Sequence, residues 1–134
     1  MSDTRDLLQR YSTVAVVGMS ADPDKPSGSI PRDLKAHGFR IIPINPSVDE
    51  VDGERAYGSL DEVPGHIDIV EVFRPAEEAP AVAEQAVAVG AKALWLQLGL
   101  TSPQAREIAE SAGLDYVENR CMGVERSRFG IDKG

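Results

Sequence analysis

The sequence predicts an α/β protein: a single doubly wound domain with a five-stranded, mainly parallel sheet and helices on both faces. Three observations carry this. Five short runs rich in apolar and β-branched residues recur along the 134-residue chain. Helix-patterned segments separate most of them, the alternation that gives right-handed crossovers and a parallel sheet. The first and fourth runs are almost continuously apolar, as strands covered on both faces are.

The elements follow in order. Residues 4–11 place Leu7, Leu8 and Tyr11 at helical spacing, and "TVAVVG" (13–18) is the first strand. "IPRDLKAHG" (30–38) sets Ile30, Leu34 and His37 on one side of a helix that stops at Gly38. "RIIPIN" (40–45) is the second strand, and Pro46 to Pro64 is irregular, with one helical turn at "SLDEVP". "IDIVEVF" (67–73) is the third strand. The alanine-rich "PAEEAPAVAEQAVAVG" (75–90) is a helix ending at Gly90, with early glutamates at its positive end and Pro80 in its first turns. "ALWLQLG" (93–99) is the fourth strand, its Trp95 expected in the core, whereas Tyr57 is expected to pack at the surface. "SPQAREIAESAG" (102–113) has Ser102 as N-cap, Pro103 at the first helical position and Gly113 as the stop. "LDYVEN" (114–119) is the last strand. Length and uniform composition suit one domain over 1–134.

Composition narrows the function. The chain is 42% apolar and 27% charged, ordinary for a soluble protein, and no apolar run reaches the ~20 residues of a membrane span. The polar start "MSDTRDLLQRY" has no signal-peptide core, so a cytoplasmic protein is expected. A net charge of −8 opposes nucleic-acid binding but not a phosphorylated small molecule, which senses local charge. Cys121 is the only cysteine, which excludes an internal disulfide and a four-cysteine zinc site. His37 and His66 fall at the wrong edge of the sheet to serve Cys121 as a base, so Cys121 reads as a small buried hydrophobe and no catalytic residue is expected. Asp22, Asp24, Asp49, Glu50 and Asp52 read as solvated loop acids, and no metal site is expected.

The first loop is the candidate site. After Gly18, where the backbone turns tightly, come Ser20, Lys25, Pro26, Ser27, Gly28 and Ser29, leading into a helix. Hydroxyls, one cation and a helix N-terminus gathered beyond the carboxyl end of a parallel strand suit an anion. The same residues also make ordinary turns. A nicotinamide dinucleotide is the first ligand to consider, but Ser20 replaces the second glycine of G-x-G-x-x-G. The second strand also ends in Asn45 and Pro46 rather than a ribose-binding acid. A small NAD(P)-binding oxidoreductase is therefore an alternative reading.

Five blocks together, "VVGMSADPDKPS", "IIPINP", "VEVFRP", "LWLQLG" and "NRCMGVE", resemble the small stand-alone CoA-binding proteins, in order and at similar spacing from about residue 10 onward. These are similar to the CoA-binding, Rossmann-like domain of succinyl-CoA synthetase alpha subunits. The resemblance implies that Gly18, Met19 and Ser20, with Lys25, Pro26 and Ser27, line the CoA phosphates. It implies that Asn45 and Pro46 face the nucleotide, that Arg74 and Pro75 sit over the same crevice, and that Gln97 to Gly99 border the pantetheine. Met19 is bulkier than the family's usual alanine, and Asn119 stands where an aspartate is common. The phosphohistidine domain of succinyl-CoA synthetase has no counterpart in the chain. The resemblance thus implies non-catalytic binding of CoA or an acyl-CoA, or a regulatory subunit whose partner supplies the chemistry.

Overall fold

A computed structural model describes residues 1–134. Seven strands and five α-helices follow one another: α1 (Thr4–Arg10), β1 (Thr13–Val17), α2 (Pro26–Ala36), β2 (Arg40–Ile44), β3 (Glu50–Val51), β4 (Glu54–Arg55), β5 (Ile69–Val72), α3 (Ala79–Ala88), β6 (Ala93–Leu96), α4 (Pro103–Ser111), β7 (Asp115–Val117) and α5 (Met122–Arg128). Single 3-10 turns occupy Leu60–Glu62, at the helical turn expected there, and Ala76–Glu78.

The main sheet has the order β2-β1-β5-β6-β7, and every pairing in it is parallel. In register, Val16 of β1 stands between Pro43 of β2 and Glu71 of β5. Side-chain alternation splits the core in two. On one face Ala15, Ile42, Val70, Val72 and Leu94 meet Ala83, Ala86 and Ala105 of α3 and α4. On the other, Val14, Val16, Ile69 and Trp95 meet Leu7, Leu34 and Met122 of α1, α2 and α5. Trp95 is fully buried, as expected, and its Nε1–H donates to the carbonyl of Arg120 (2.9 Å).

Both outer strands are covered. Along β2, Asn45 N–H donates to the Tyr57 carbonyl (2.8 Å) and Tyr57 N–H to the Pro43 carbonyl (3.0 Å). Tyr57 is thus half-buried against the sheet rather than a surface residue, because its backbone extends the ladder. Along β7, Ser2 N–H donates to the Tyr116 carbonyl (2.9 Å), and Tyr116 N–H returns a bond to Ser2 Oγ (3.0 Å).

Three local expectations need correction. The second helix begins at Pro26, not near residue 30, so Ser27, Gly28 and Ser29 lie in its first turn rather than in the loop. Lys25 is extended as N-cap and Pro26 takes the position where its missing N–H costs nothing. The stretch 46–64 contains a hairpin, β3–β4, turned by Asp52 (φ 52°) and Gly53 (φ 76°). Positive φ at both central residues is the tight hairpin turn that Asp-Gly favours. The chain also adds α5 after the last strand, with Met122 and Glu125 buried and Arg126 and Arg128 at its negative end.

Candidate functional site

The strand order reverses between β1, which leads outward to β2, and β5, which begins the other half. Their carboxyl ends open the crevice where doubly wound proteins hold ligands. Here the two loops touch. Gly18 (φ +87°) has no Cβ, and one would lie 2.8 Å from Cδ of Arg74, so the stem of Arg74 rests on the bare Gly18 backbone.

The loop from 18 to 25 is folded back on the first turn of α2. Pro31 lacks the N–H that would bond the carbonyl of Ser27 four residues earlier. That carbonyl instead accepts the N–H of Ser20 (3.1 Å). A Cβ at Gly28 would collide with the carbonyl oxygen of Asp22, so glycine lets loop and helix meet. Arg32 fastens the contact: its guanidinium donates to the carbonyls of Gly28 (2.9 Å), Ala21 (3.2 Å) and Ser20 (3.5 Å). Ser20 Oγ accepts from Asp22 N–H (3.0 Å), which leaves its own O–H to donate. In the first turn of α2, Pro26 has no N–H and the Gly28 and Ser29 N–H groups donate to the Lys25 carbonyl (2.8 Å each), so the Ser27 N–H is the one left open.

The expected residues divide by what they already do. Lys25 is exposed and enters no salt bridge. Met19 is buried in the core, so its backbone rather than its side chain borders the loop. Asn45 is engaged twice, donating from Nδ2 to the Met19 carbonyl (3.1 Å) and accepting Ser47 N–H on Oδ1 (2.9 Å). Arg74 makes a two-pronged ion pair with Glu78 (2.9 and 3.2 Å) just beyond Pro75. Gln97 is buried, its Oε1 accepting Met122 N–H (3.4 Å) and its Nε2 donating to Glu71. The exposed part of the 97–99 stretch is Leu98, at 69%, and the Gly99 backbone, whose N–H is held by Asn119 Oδ1 (2.8 Å).

Next to Asn45 and Pro46 lies a cleft of about 390 Å³. Its other walls come largely from the hairpin and the segment after it: Asp49, Arg55, Tyr57 and Glu62. Arg55 lies over the Tyr57 ring, 5.2 Å from its centre. The hairpin is tied to α2, because Lys35 Nζ donates to the Asp52 carbonyl (2.9 Å) and pairs with Glu54 (3.2 Å). Arg32 Nε faces the Asp52 carboxylate at 3.6 Å. No spacing in the sequence singles out Arg55, though the Asp52-Gly53 dipeptide between Val51 and Glu54 signals the hairpin that presents it.

One buried acid was also unforeseen. Glu71 lies in the middle of the sheet, fully buried, with Oε1 unpartnered. Burial pushes its carboxyl up to about 8, and the bond from Gln97 opposes this only partly. Cys121, expected to be buried, is half-buried as the N-cap of α5 in a shallow groove with Ile30 and Val124. His37 Nδ1–H donates to the Asp33 carbonyl (2.8 Å), and His66 lies 3.6 Å from Asp68. No three His, Cys, Asp or Glu side chains gather as a metal site would require, and no helix is long and apolar enough to cross a membrane.

Residues 12–127 match the model of a family described as a CoA binding domain. An uncharacterized protein of Bacillus subtilis, YneT, is 37% identical over 123 residues, which cover 92% of this chain and 91% of that one. The alpha subunit of an ADP-forming acetate–CoA ligase II from Pyrococcus furiosus is 27% identical over 130 residues, covering 89% of this chain but only 28% of the subunit. A solved structure of a hypothetical protein from Pyrococcus horikoshii is 35% identical and superposes with a TM-score of 0.92, over 95% of this chain and 89% of that one.

Proposed function

Because the chain belongs to the CoA-binding-domain family, we propose that it binds CoA or an acyl-CoA at the crevice between β1 and β5, as a binding rather than a catalytic protein. The observation that carries this reading is the loop 18–25, already folded against the α2 N-terminus by Ser20, Gly28 and Arg32. A loop fixed before the ligand arrives spends little ordering entropy on binding. The open Ser27 N–H at the start of α2, the Ser20 hydroxyl and the free ammonium of Lys25 suit a pyrophosphate.

The remainder of CoA can be laid out from there. The nucleotide goes to the cleft beside Asn45 and Pro46, and the pantetheine runs past Leu98 and Gly99 on the other side. Arg74 would join the phosphates only by exchanging Glu78 for them. Gln97 serves the site indirectly, by holding the N-terminus of α5. A cytoplasmic setting suits such a ligand.

Calorimetric titration with CoA, NAD and NADP tests the reading. CoA is expected to bind more tightly than either dinucleotide. The NAD arm is decisive, because Asp49 reaches the cleft at the end of β2 and could accept ribose hydroxyls. Tighter binding of NAD would replace this reading with the oxidoreductase one.

A second reading rests on length. The chain spans about 28% of the ligase subunit it matches, so a separate protein could supply the chemistry to a CoA held here. Co-purification of a second protein with the chain from its native cell would favour that reading.

A further inference from the structure

We propose that Arg55 is the residue that distinguishes CoA from its analogue without the ribose 3′-phosphate, and that the β3–β4 hairpin exists to present it. The inference rests on the CoA reading above and deepens it.

Four observations lead here. Arg55 lines the cleft beside Asn45 and Pro46, where the nucleotide is placed. Its guanidinium enters no ion pair within 4 Å, although Glu50 is its cross-strand neighbour. The ring of Tyr57 beneath it, 5.2 Å away, holds the planar group over the cleft without using its N–H donors. And the hairpin is held by α2 through Lys35 with Asp52 and Glu54, so Arg55 is carried on a fixed support.

The chemistry fits a ribose phosphate. In doubly wound nucleotide sites an acid near the end of the second strand favours a free ribose hydroxyl, and an arginine there accommodates a phosphate. Here that strand ends in Asn45, and arginine is the nearby cation. A guanidinium binds a phosphate through two parallel N–H bonds, which an ammonium cannot. Asp49 and Glu62 line the same cleft and would repel a phosphate placed among them. Glu62 shares the single Ser59 hydroxyl with Asp61. The phosphate is therefore confined to the Arg55 edge, leaving Asp49 to accept a ribose hydroxyl or the adenine amino group.

The test compares CoA with dephospho-CoA on wild type, Arg55→Gln and Arg55→Lys, with the melting temperature of each recorded. Wild type should prefer CoA by about tenfold or more. Arg55→Gln should lose that preference and keep its affinity for dephospho-CoA within about twofold. Arg55→Lys should recover part of it, with a steeper salt dependence. Equal losses for both ligands would make Arg55 a support of the hairpin and overturn the inference. So would an unchanged preference in Arg55→Gln, or none in wild type. If wild type binds neither ligand, the CoA reading itself fails and this inference falls with it.

Discussion

The N–H of Ser20 is bonded to the carbonyl of Ser27 (3.1 Å), and the bond exists because Pro31, one turn further on, has no N–H to compete for it. Restoring that N–H sets helix against loop. In Pro31→Ala, the new N–H is expected to take the Ser27 carbonyl, and Ser20 is released. Amide exchange at Ser20 should accelerate, and CoA affinity should fall several-fold while the far-ultraviolet spectrum stays helical. Unchanged exchange at Ser20 would show that the Ser20–Ser27 bond does not depend on Pro31.

Lys25 is the only cation in the 18–25 loop. A charge-assisted contact to a phosphate is worth about 1.5–3 kcal/mol. Lys25→Ala is therefore expected to weaken CoA binding by about tenfold or more, and less in high salt. The exposed side chain has no partner to lose, so the melting temperature should hardly move. Equal affinities would remove Lys25 from the site.

Glu71 makes stability depend on pH. Its carboxyl is raised by burial from 4.5 to about 8, so between those values the folded state keeps a proton that the unfolded chain releases. Its contribution is full below about pH 4.5 and declines as the pH rises to about 8. Glu71→Gln removes this titration and leaves an oxygen to accept from Gln97. The melting temperature of the variant is expected to exceed that of wild type at pH 8 by about 5 °C or more, and to approach it near pH 5. Parallel melting curves across that range would show that Glu71 is not protonated in the fold.

Asn45 offers a different test. Its Nδ2 already donates to the Met19 carbonyl, so an aspartate there sets a carboxylate oxygen against a carbonyl oxygen. Asn45→Asp should lower the melting temperature and weaken CoA binding by about tenfold, through displacement of the first loop as well as repulsion of phosphate. High salt would restore only the second part. Full recovery in salt would mean that repulsion alone operates.

Legibility in the sequence followed burial. "TVAVV" and "ALWL" announce strands because both faces are covered and little else could fill such runs. Ser102, Pro103 and Gly113 announce a helix because each has a distinct reason to sit at a terminus. The hairpin was missed because two-residue strands carry no periodicity, although Asp52-Gly53 was a fair signal. The last helix was missed because Gly123 and a length of seven residues give a weak pattern. The glutamate in "IDIVEVF" is buried in the sheet, and nothing local says that Gln97 of the neighbouring strand's end will be its partner. Asn45 and Arg74 were legible as residues near the crevice, but not as residues already occupied. Their partners, Met19 and Glu78, follow from tertiary placement and rotamer, which no spacing encodes.

The treatment of the outer strands reaches beyond the site. β2 has a proline at position 43 and is overlaid by the Tyr57 backbone, while β7 is sealed by Ser2. Neither rim offers a row of open N–H and C=O groups on which a foreign strand could grow. The sheet is therefore a closed template: fibrillar stacking through its rims requires one seal to detach first. Any assembly that leaves the fold intact must be built from side chains on the helical layers and loops. A partner protein would accordingly meet a surface whose specificity is written in those side chains and not in shared backbone pairing.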